Sequence, residues 1–334
     1  MPASIRYVQM AEALEISRGE RAQAWTYSGA LRTVRRGREY FKVEFAPQSE
    51  LECLSAEFKA AGGKGLPSSW GDVYHRLYQS PYVPKSVAFD LRGRVSGGWQ
   101  EARHKGRILG TWRVYDLKSA YRWAAGLPLP WIRSGEPSER VEGRGIYRLT
   151  FTEAGAPCPP TIHPGQVCMM TGDEIASYDL RGVEIISGVS FTRSCSIEKN
   201  FTELERRFTH HKKIFRSFWG AWLATQPVTI QMLEDGRVVK LWRAAKPTYN
   251  AAWAAFITGR VRRRVAEYAG DAAHIFVDSI MLPYEIREGT GAGDWALQRT
   301  INAPTIEGAG RYRDDADYIK HSGRPRIIAQ RVAR

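Results

Sequence analysis

Residues 251 to 284 constrain the fold more than any other stretch. AAWAAFITGRVRRRVAEYAG, Ala251 to Gly270, carries Trp253, Phe256, Ile257, Val261, Val265 and Tyr268 at helical spacing, so an amphipathic helix is expected. Gly270 suits the residue that ends a helix. Arg262 and Arg263 leave the apolar stripe and are expected to face outward or toward a ligand. The chain then runs AHIFVDSIMLPY, Ala273 to Tyr284, with apolar β formers on both sides of Asp278-Ser279. That pattern predicts a strand, a tight turn and a second strand, with a lone carboxylate at the tip.

A second carboxylate sits in a similar setting. In TWRVYDLKSAYRWA, Thr111 to Ala124, Asp116 ends an apolar strand pattern and is followed by Ser119 and Tyr121. Asp116 either caps a helix or holds something positive, and Asp278 by itself is a common turn residue. A carboxylate in apolar surroundings is costly unless a cation compensates it. Two such carboxylates at strand ends are what two-metal phosphoryl transfer needs, since their oxygens hold the divalent ions that serve the attacking and leaving oxygens.

The charge balance points to polyanions. Among the 334 residues, 49 are Lys or Arg and 35 are Asp or Glu, a formal charge of +14. Such a surplus attracts nucleic acid. Arginine recurs beside aromatic residues, as in Trp112-Arg113, Tyr121-Arg122-Trp123 and Trp242-Arg243. Guanidinium forks fit phosphates and aromatic faces stack on bases. An ordinary basic surface is the plainer reading. Cys53, Cys158, Cys168 and Cys195 form no C-x-x-C, and MPASIRYVQMAEALEISRGE is no signal peptide. A reducing cytoplasm is therefore expected. Cys158, His163 and Cys168 lack a fourth zinc ligand at the usual spacing. No apolar run reaches membrane-spanning length.

Residues 1–85 read as mixed and mostly helical, with a turn-rich break at Ala60 to Ser69 and a loop at Arg92 to Gly106. A long helix is expected over residues 197–225, from Phe201, Leu204, Phe208, Phe215, Trp222 and Leu223. VTIQMLEDGRVVKLW, Val228 to Trp242, reads as a hairpin around Asp235-Gly236.

The order of these motifs resembles the polymerase domain of family B DNA polymerases, most closely the protein-primed ones of phages and linear plasmids. The family's D-x-x-S-L-Y-P appears here as Asp116-Leu117-Lys118-Ser119-Ala120-Tyr121-Arg122. K-x-x-x-N-S-x-Y-G appears as Lys212 to Gly220, with Arg216 for Asn and Trp219 for Tyr. The T-x-x-x-R motif matches Thr258 and Arg262, in a helix where Phe256-Ile257-Thr258 stands for F-I-T. Y-x-D-T-D-S appears as His274 to Ser279, keeping Asp278 and replacing the first Asp by Phe276. Ser96-Gly97-Gly98-Trp99 resembles the family's Y-x-G-G loop, and Thr171 to Ala176 a stretch between the palm motifs. The thumb-side K-x-Y has its nearest match in Gly310-Arg311-Tyr312, without the Lys.

The resemblance covers roughly residues 85–320 and implies an α+β right-hand polymerase fold. An antiparallel palm sheet, short helical fingers, a β-hairpin insertion and a reduced thumb are its parts. The implied division is 1–85 as an N-terminal region in place of an exonuclease domain, 86–196 as palm with a template-contacting loop, 197–250 as fingers helix and hairpin insertion, 251–290 as palm with the metal-binding hairpin, and 291–334 as reduced thumb and basic tail. The implied activity is template-dependent transfer of dNTPs to a primer hydroxyl, with two Mg²⁺ ions (Mn²⁺ can substitute) held by Asp116, Asp278 and Leu117. Leu117, Ser119, Tyr121, Lys212, Arg216, Trp219 and Gly220 would bind the nucleotide. Gly97, Gly98, Trp99, Thr258, Arg262, Arg311 and Tyr312 would contact the template-primer. Structural alternatives stand beside these roles. Ser119 can be an N-cap, Tyr121 a core tyrosine, and Lys212 and Arg216 a solvated basic face with Trp219 docked in the core. No D-x-E precedes Asp116, so proofreading is expected to be absent or to come from a separate exonuclease subunit. A priming protein is a further candidate partner; a membrane is not. The expected setting is a bacterial cytoplasm, with a phage or plasmid origin. A primase, a primer-independent polymerase and an inactive polymerase-derived binding protein are the competing readings.

Overall fold

The computed structural model describes residues 4–27, 30–44, 46–67, 73, 77, 98–212, 214, 228–234, 237–244, 251–313 and 318–319. They fall into two compact units, residues 1–95 with 196–254, and residues 96–195 with 255–334. The architecture is α+β, and its sheets are mostly antiparallel.

In the first unit, strands Ser4–Val8, Ala22–Tyr27, Ala30–Arg36 and Glu39–Val43 join the hairpin Val228–Glu234 and Arg237–Ala244 in one six-stranded sheet. Only Ser4–Val8 and Glu39–Val43 pair in parallel. Val8, Ala24, Val34, Phe41 and Val43 form its core with Ala13 of the helix Met10–Ser17. The expectation of a mostly helical N-terminal region is corrected here, since residues 4–43 hold four strands and one helix. Phe41 and Val43 point inward at period two, while arginines on the exposed positions interrupt the pattern. The helix Gln48–Ala60 follows, burying Leu51, Leu54 and Phe58 along one face. Met232 lies opposite Trp25, so the first strand of the hairpin extends the N-terminal sheet.

The long helix expected over residues 197–225 is interrupted at Phe208, while residues 213 and 215–225, with Phe215, Trp222 and Leu223, lie outside the described residues. The helix Glu198–Arg207 ends where Phe208 turns extended, at φ −129° and ψ 126°. Phe201, Leu204 and Phe208 are all buried. The extended residue thus keeps the apolar spacing while the chain leaves the helix.

The second unit is built on a five-stranded sheet in the order Trp295–Asn302, Thr111–Leu117, Ser279–Leu282, His274–Val277 and Trp99–Ala102. All four neighbouring pairs are antiparallel. The helix Ala251–Ala269 runs directly into this hairpin and buries Phe256, Ile257, Val261 and Val265. A second sheet, Cys168–Thr171, Gly145–Thr150, Glu184–Phe191 and Gly135–Pro137, encloses Tyr147, Leu149, Phe151 and Met170. Trp295–Asn302, in the segment expected to form a reduced thumb, pairs along the whole of Thr111–Leu117. Among the described residues no helix is long and apolar enough to cross a membrane.

Candidate active site

Asp116 and Asp278 meet at one end of two adjacent strands. Asp116 lies directly opposite Ser279, and the Leu117 N–H donates to the Asp278 carbonyl at 2.9 Å. Residues directly opposite in antiparallel strands share a face. Ala296, Asp116, Ser279, Phe276 and Gln100 therefore form one row across the sheet. Phe276 replaces a carboxylate of the resembled motif, and its ring lies against Gly310.

The turn carrying Asp278 has only Val277 and Asp278 between the paired residues Phe276 and Ser279. Val277 takes φ +63°, a conformation that hairpins usually give to glycine and that strains a β-branched residue. Gly98 packs against this turn. A Cβ at Gly98 would stand 2.8 Å from Val277 Cγ1, so the close approach of this turn requires glycine there.

Both aspartates are half-buried. Their carboxylates and the Leu117 carbonyl are all oxygen donors, the set that Mg²⁺ prefers. The donor chemistry therefore fits a hard divalent ion and not a soft one. Tyr121 is half-buried, and desolvation pushes its phenol well above the usual range; Asp278 adds to that shift and Arg262 opposes it. Burial likewise raises Tyr312, with Arg299 opposing and Asp116 adding.

Ser119 is the residue before the helix Ala120–Gly126, at φ 48°, and its side chain makes no capping bond. Lys118 beside it is fixed at three points. Its N–H donates to Asp294 O at 2.9 Å, its carbonyl accepts from Gly293 N–H at 2.7 Å, and its Nζ donates to Gly289 O at 2.7 Å. The 289–294 loop thus clamps the segment after Asp116. The sequence places that loop in a tail with no pattern of its own.

Four expected nucleic-acid contacts are buried. Trp99 is fully enclosed with its Nε1 donating to Glu101, and Thr258 donates its hydroxyl to the Ala255 carbonyl. Tyr312 is buried edge-on to His274. Arg262 is 1% exposed, and its Nε and Nη2 reach one Glu174 oxygen at 2.8 and 2.6 Å. None of these four side chains presents a surface to a duplex. Arg311 and Lys212 are exposed. Gly97, Arg216, Trp219 and Gly220 lie outside the described residues.

Glu174 escapes sequence reasoning, although the capping box Thr171-x-x-Glu174 is a visible signal. One of its oxygens accepts from the Thr171 N–H at 3.1 Å while the other holds Arg262. Gly259 makes room for it, since a Cβ there would stand 2.7 Å from Glu174 Oε2. The arginine neighbours of Arg262 on the same helix have partners of their own: Arg260 donates to the carbonyls of Ala124, Leu127 and Pro128, Arg263 pairs with Asp173 and Arg264 with Glu267. Arg260, Arg263 and Arg264 line a cavity of about 810 Å³. Burial lowers the Arg260 pKa to about 10.

The fold is polymerase-like. Phi29 DNA polymerase complexed with single-stranded DNA matches at a TM-score of 0.58 and 17% identity, over 80% of this chain and 61% of that one. The same polymerase in a ternary complex with primer-template DNA and incoming nucleotides matches at 0.62 and 14%, over 95% and 82%. The chain spans about three fifths of the length of the first of these structures. No protein-family model and no curated protein matches the sequence.

Proposed function

We propose that this chain is a template-dependent nucleotidyltransferase of the family B DNA polymerase type, adding dNTPs to a primer hydroxyl. The observation that carries the reading is the meeting of Asp116, near the end of its strand, with Asp278, in the tight turn at the end of the neighbouring strand, in a fold similar to that of a DNA polymerase. Residues 96–195 with 255–302 act as palm, and the segment around Lys212 to Gly220 as fingers.

Asp116, Asp278 and the Leu117 carbonyl hold two Mg²⁺ ions. Bound there, the ions supply charge neutralisation for an in-line displacement at the α-phosphate, with loss of pyrophosphate. Lys212 and Arg216 bind the triphosphate, Ser119 offers its backbone N–H, and Trp219 and Gly220 cover the base. Tyr121 lies under the sugar and sterically excludes a 2′-hydroxyl. Arg263, Arg264 and Arg311 take the template-primer contacts that the buried Arg262 and Tyr312 do not. The D-x-E carboxylates of a proofreading exonuclease are not supplied by residues 1–85.

The test is incorporation of a single labelled nucleotide with Mg²⁺, comparing dNTP with NTP and primed with unprimed template, in wild type and Asp278→Ala. Primer-dependent extension by wild type alone is expected. Product without primer would make the chain a primase or primer-independent polymerase. No product, alongside tight salt-sensitive DNA binding, would favour an inactive binding protein, the reading that Phe276 in the carboxylate row motivates.

A further inference from the structure

In the first unit, three side chains of different donor type converge. Cys53 and Glu57 stand one turn apart on the helix Gln48–Ala60, so they share a face. His210 reaches them from the turn after the helix Glu198–Arg207. Cys53 Sγ lies 3.6 Å from Glu57 Oε1 and 4.0 Å from His210 Nδ1, and that nitrogen lies 3.4 Å from the same carboxylate oxygen.

We propose that Cys53, Glu57 and His210 form a binding site for a borderline-soft divalent transition metal of the zinc class. The triangle has the dimensions of such a site. Zinc bonds of about 2.0–2.3 Å at tetrahedral angles place neighbouring ligand atoms about 3.3–3.6 Å apart. Two of the three separations fall at those values, and the third needs the exposed Cys53 thiol to move by a few tenths of an ångström. The S, N and O donor set selects zinc or cobalt over magnesium. Three protein ligands leave the fourth position for water.

The supporting shell is present. Thr209 donates its backbone N–H to Glu57 Oε2 at 3.2 Å, and its hydroxyl donates to Oε1. Carboxylate and imidazole are thus delivered together by adjacent residues, the kind of anchoring that orients metal ligands. On binding, the Cys53 S–H bond breaks, its proton passes to solvent, and the sulfur keeps the electron pair that it shares with the metal. The ion would staple the helix Gln48–Ala60 to the turn two residues before Lys212. This site stands independently of the polymerase reading.

The experiment is a Co²⁺ titration of the full chain, followed by Zn²⁺ competition. Wild type is expected to bind one Co²⁺ with a sulfur-to-cobalt charge-transfer band, which stoichiometric Zn²⁺ removes. Cys53→Ser should lose the band, Cys158→Ser should keep it, and His210→Ala should weaken binding at least about tenfold. Zn²⁺ should also slow alkylation of Cys53 in unmodified protein, a readout that depends on no variant's folding. Absence of the band in wild type, its persistence in Cys53→Ser, or alkylation unaffected by Zn²⁺ would each overturn the proposal.

Discussion

Leu117 donates its backbone N–H to the carbonyl of Asp278 at 2.9 Å. One hydrogen bond therefore ties the residue after the first aspartate to the second aspartate itself. The backbones that carry the two carboxylates, one near a strand end and one in the tight turn beside it, are thus tied to each other, and disturbing either disturbs both.

Asp116→Asn and Asp278→Asn are expected each to lower single-nucleotide incorporation more than about 100-fold, exceeding the 10–100-fold typical of changes to groups that only orient a metal ligand. The urea midpoint should stay level or rise, because each change removes one of two like charges at adjacent strand ends. Unchanged incorporation in either variant would remove the two-metal reading.

Gly98 and Val277 make a second pair. Gly98→Ala places a methyl 2.8 Å from Val277 Cγ1, and is expected to cost about 1–3 kcal/mol as overpacking. Val277→Gly relieves the φ +63° strain while losing packing and chain entropy, so it should stay within about 1 kcal/mol of wild type. The double variant should recover most of the stability lost by Gly98→Ala. Additive losses in urea unfolding would show that the two residues do not contact each other.

The placement of Asp116 and Asp278 at strand ends is legible because a carboxylate inside an apolar β pattern is conspicuous, and each interrupts one. The helix at Ala251–Ala269 was legible from its stripe. Arg262 was misread for a physical reason. It leaves the stripe on the helical wheel, yet its partner Glu174 lies 88 residues earlier, and local periodicity carries no signal for a distant ion pair. The N-terminal strands were hidden similarly. Arg32, Arg35 and Arg36 crowd a strand whose inward residues are Leu31 and Val34, so the alternation is irregular. The strand Trp295–Asn302 puts exposed Leu297 and Gln298 after buried Trp295 and Ala296. A register shift between Leu297 and Arg299 breaks the period that would have revealed it.

Desolvated tyrosines set the alkaline limit of stability. Desolvation raises the phenols of Tyr121 and Tyr178 well above the usual range, while unfolded tyrosine titrates near about 10. Below that pH both states keep the proton and stability does not respond. Above it the unfolded chain loses protons that the folded chain retains, so stability falls as pH rises. Urea midpoints measured from pH 8 to 11 should be flat and then decline. Tyr121→Phe and Tyr178→Phe should each shallow the decline, and a slope identical to wild type would mean that these phenols titrate normally.

The Glu174–Arg262 pair separates a structural role from a DNA-contacting one. Both side chains are essentially without exposure. Arg262→Met leaves a buried carboxylate without its cation, and is expected to cost about 3–5 kcal/mol. Adding Glu174→Gln removes the stranded charge and should return a large part of that loss, because replacing both members of a buried pair is far milder than breaking it. A phosphate contact would behave differently. Its removal would lower the salt dependence of DNA binding by about one unit of log–log slope and leave folding intact. Urea unfolding and salt-dependent DNA binding of the single and double variants therefore give opposite patterns for the two roles. The buried geometry requires a large stability loss, partial rescue by the second change, and an unaltered slope in whatever fraction remains folded.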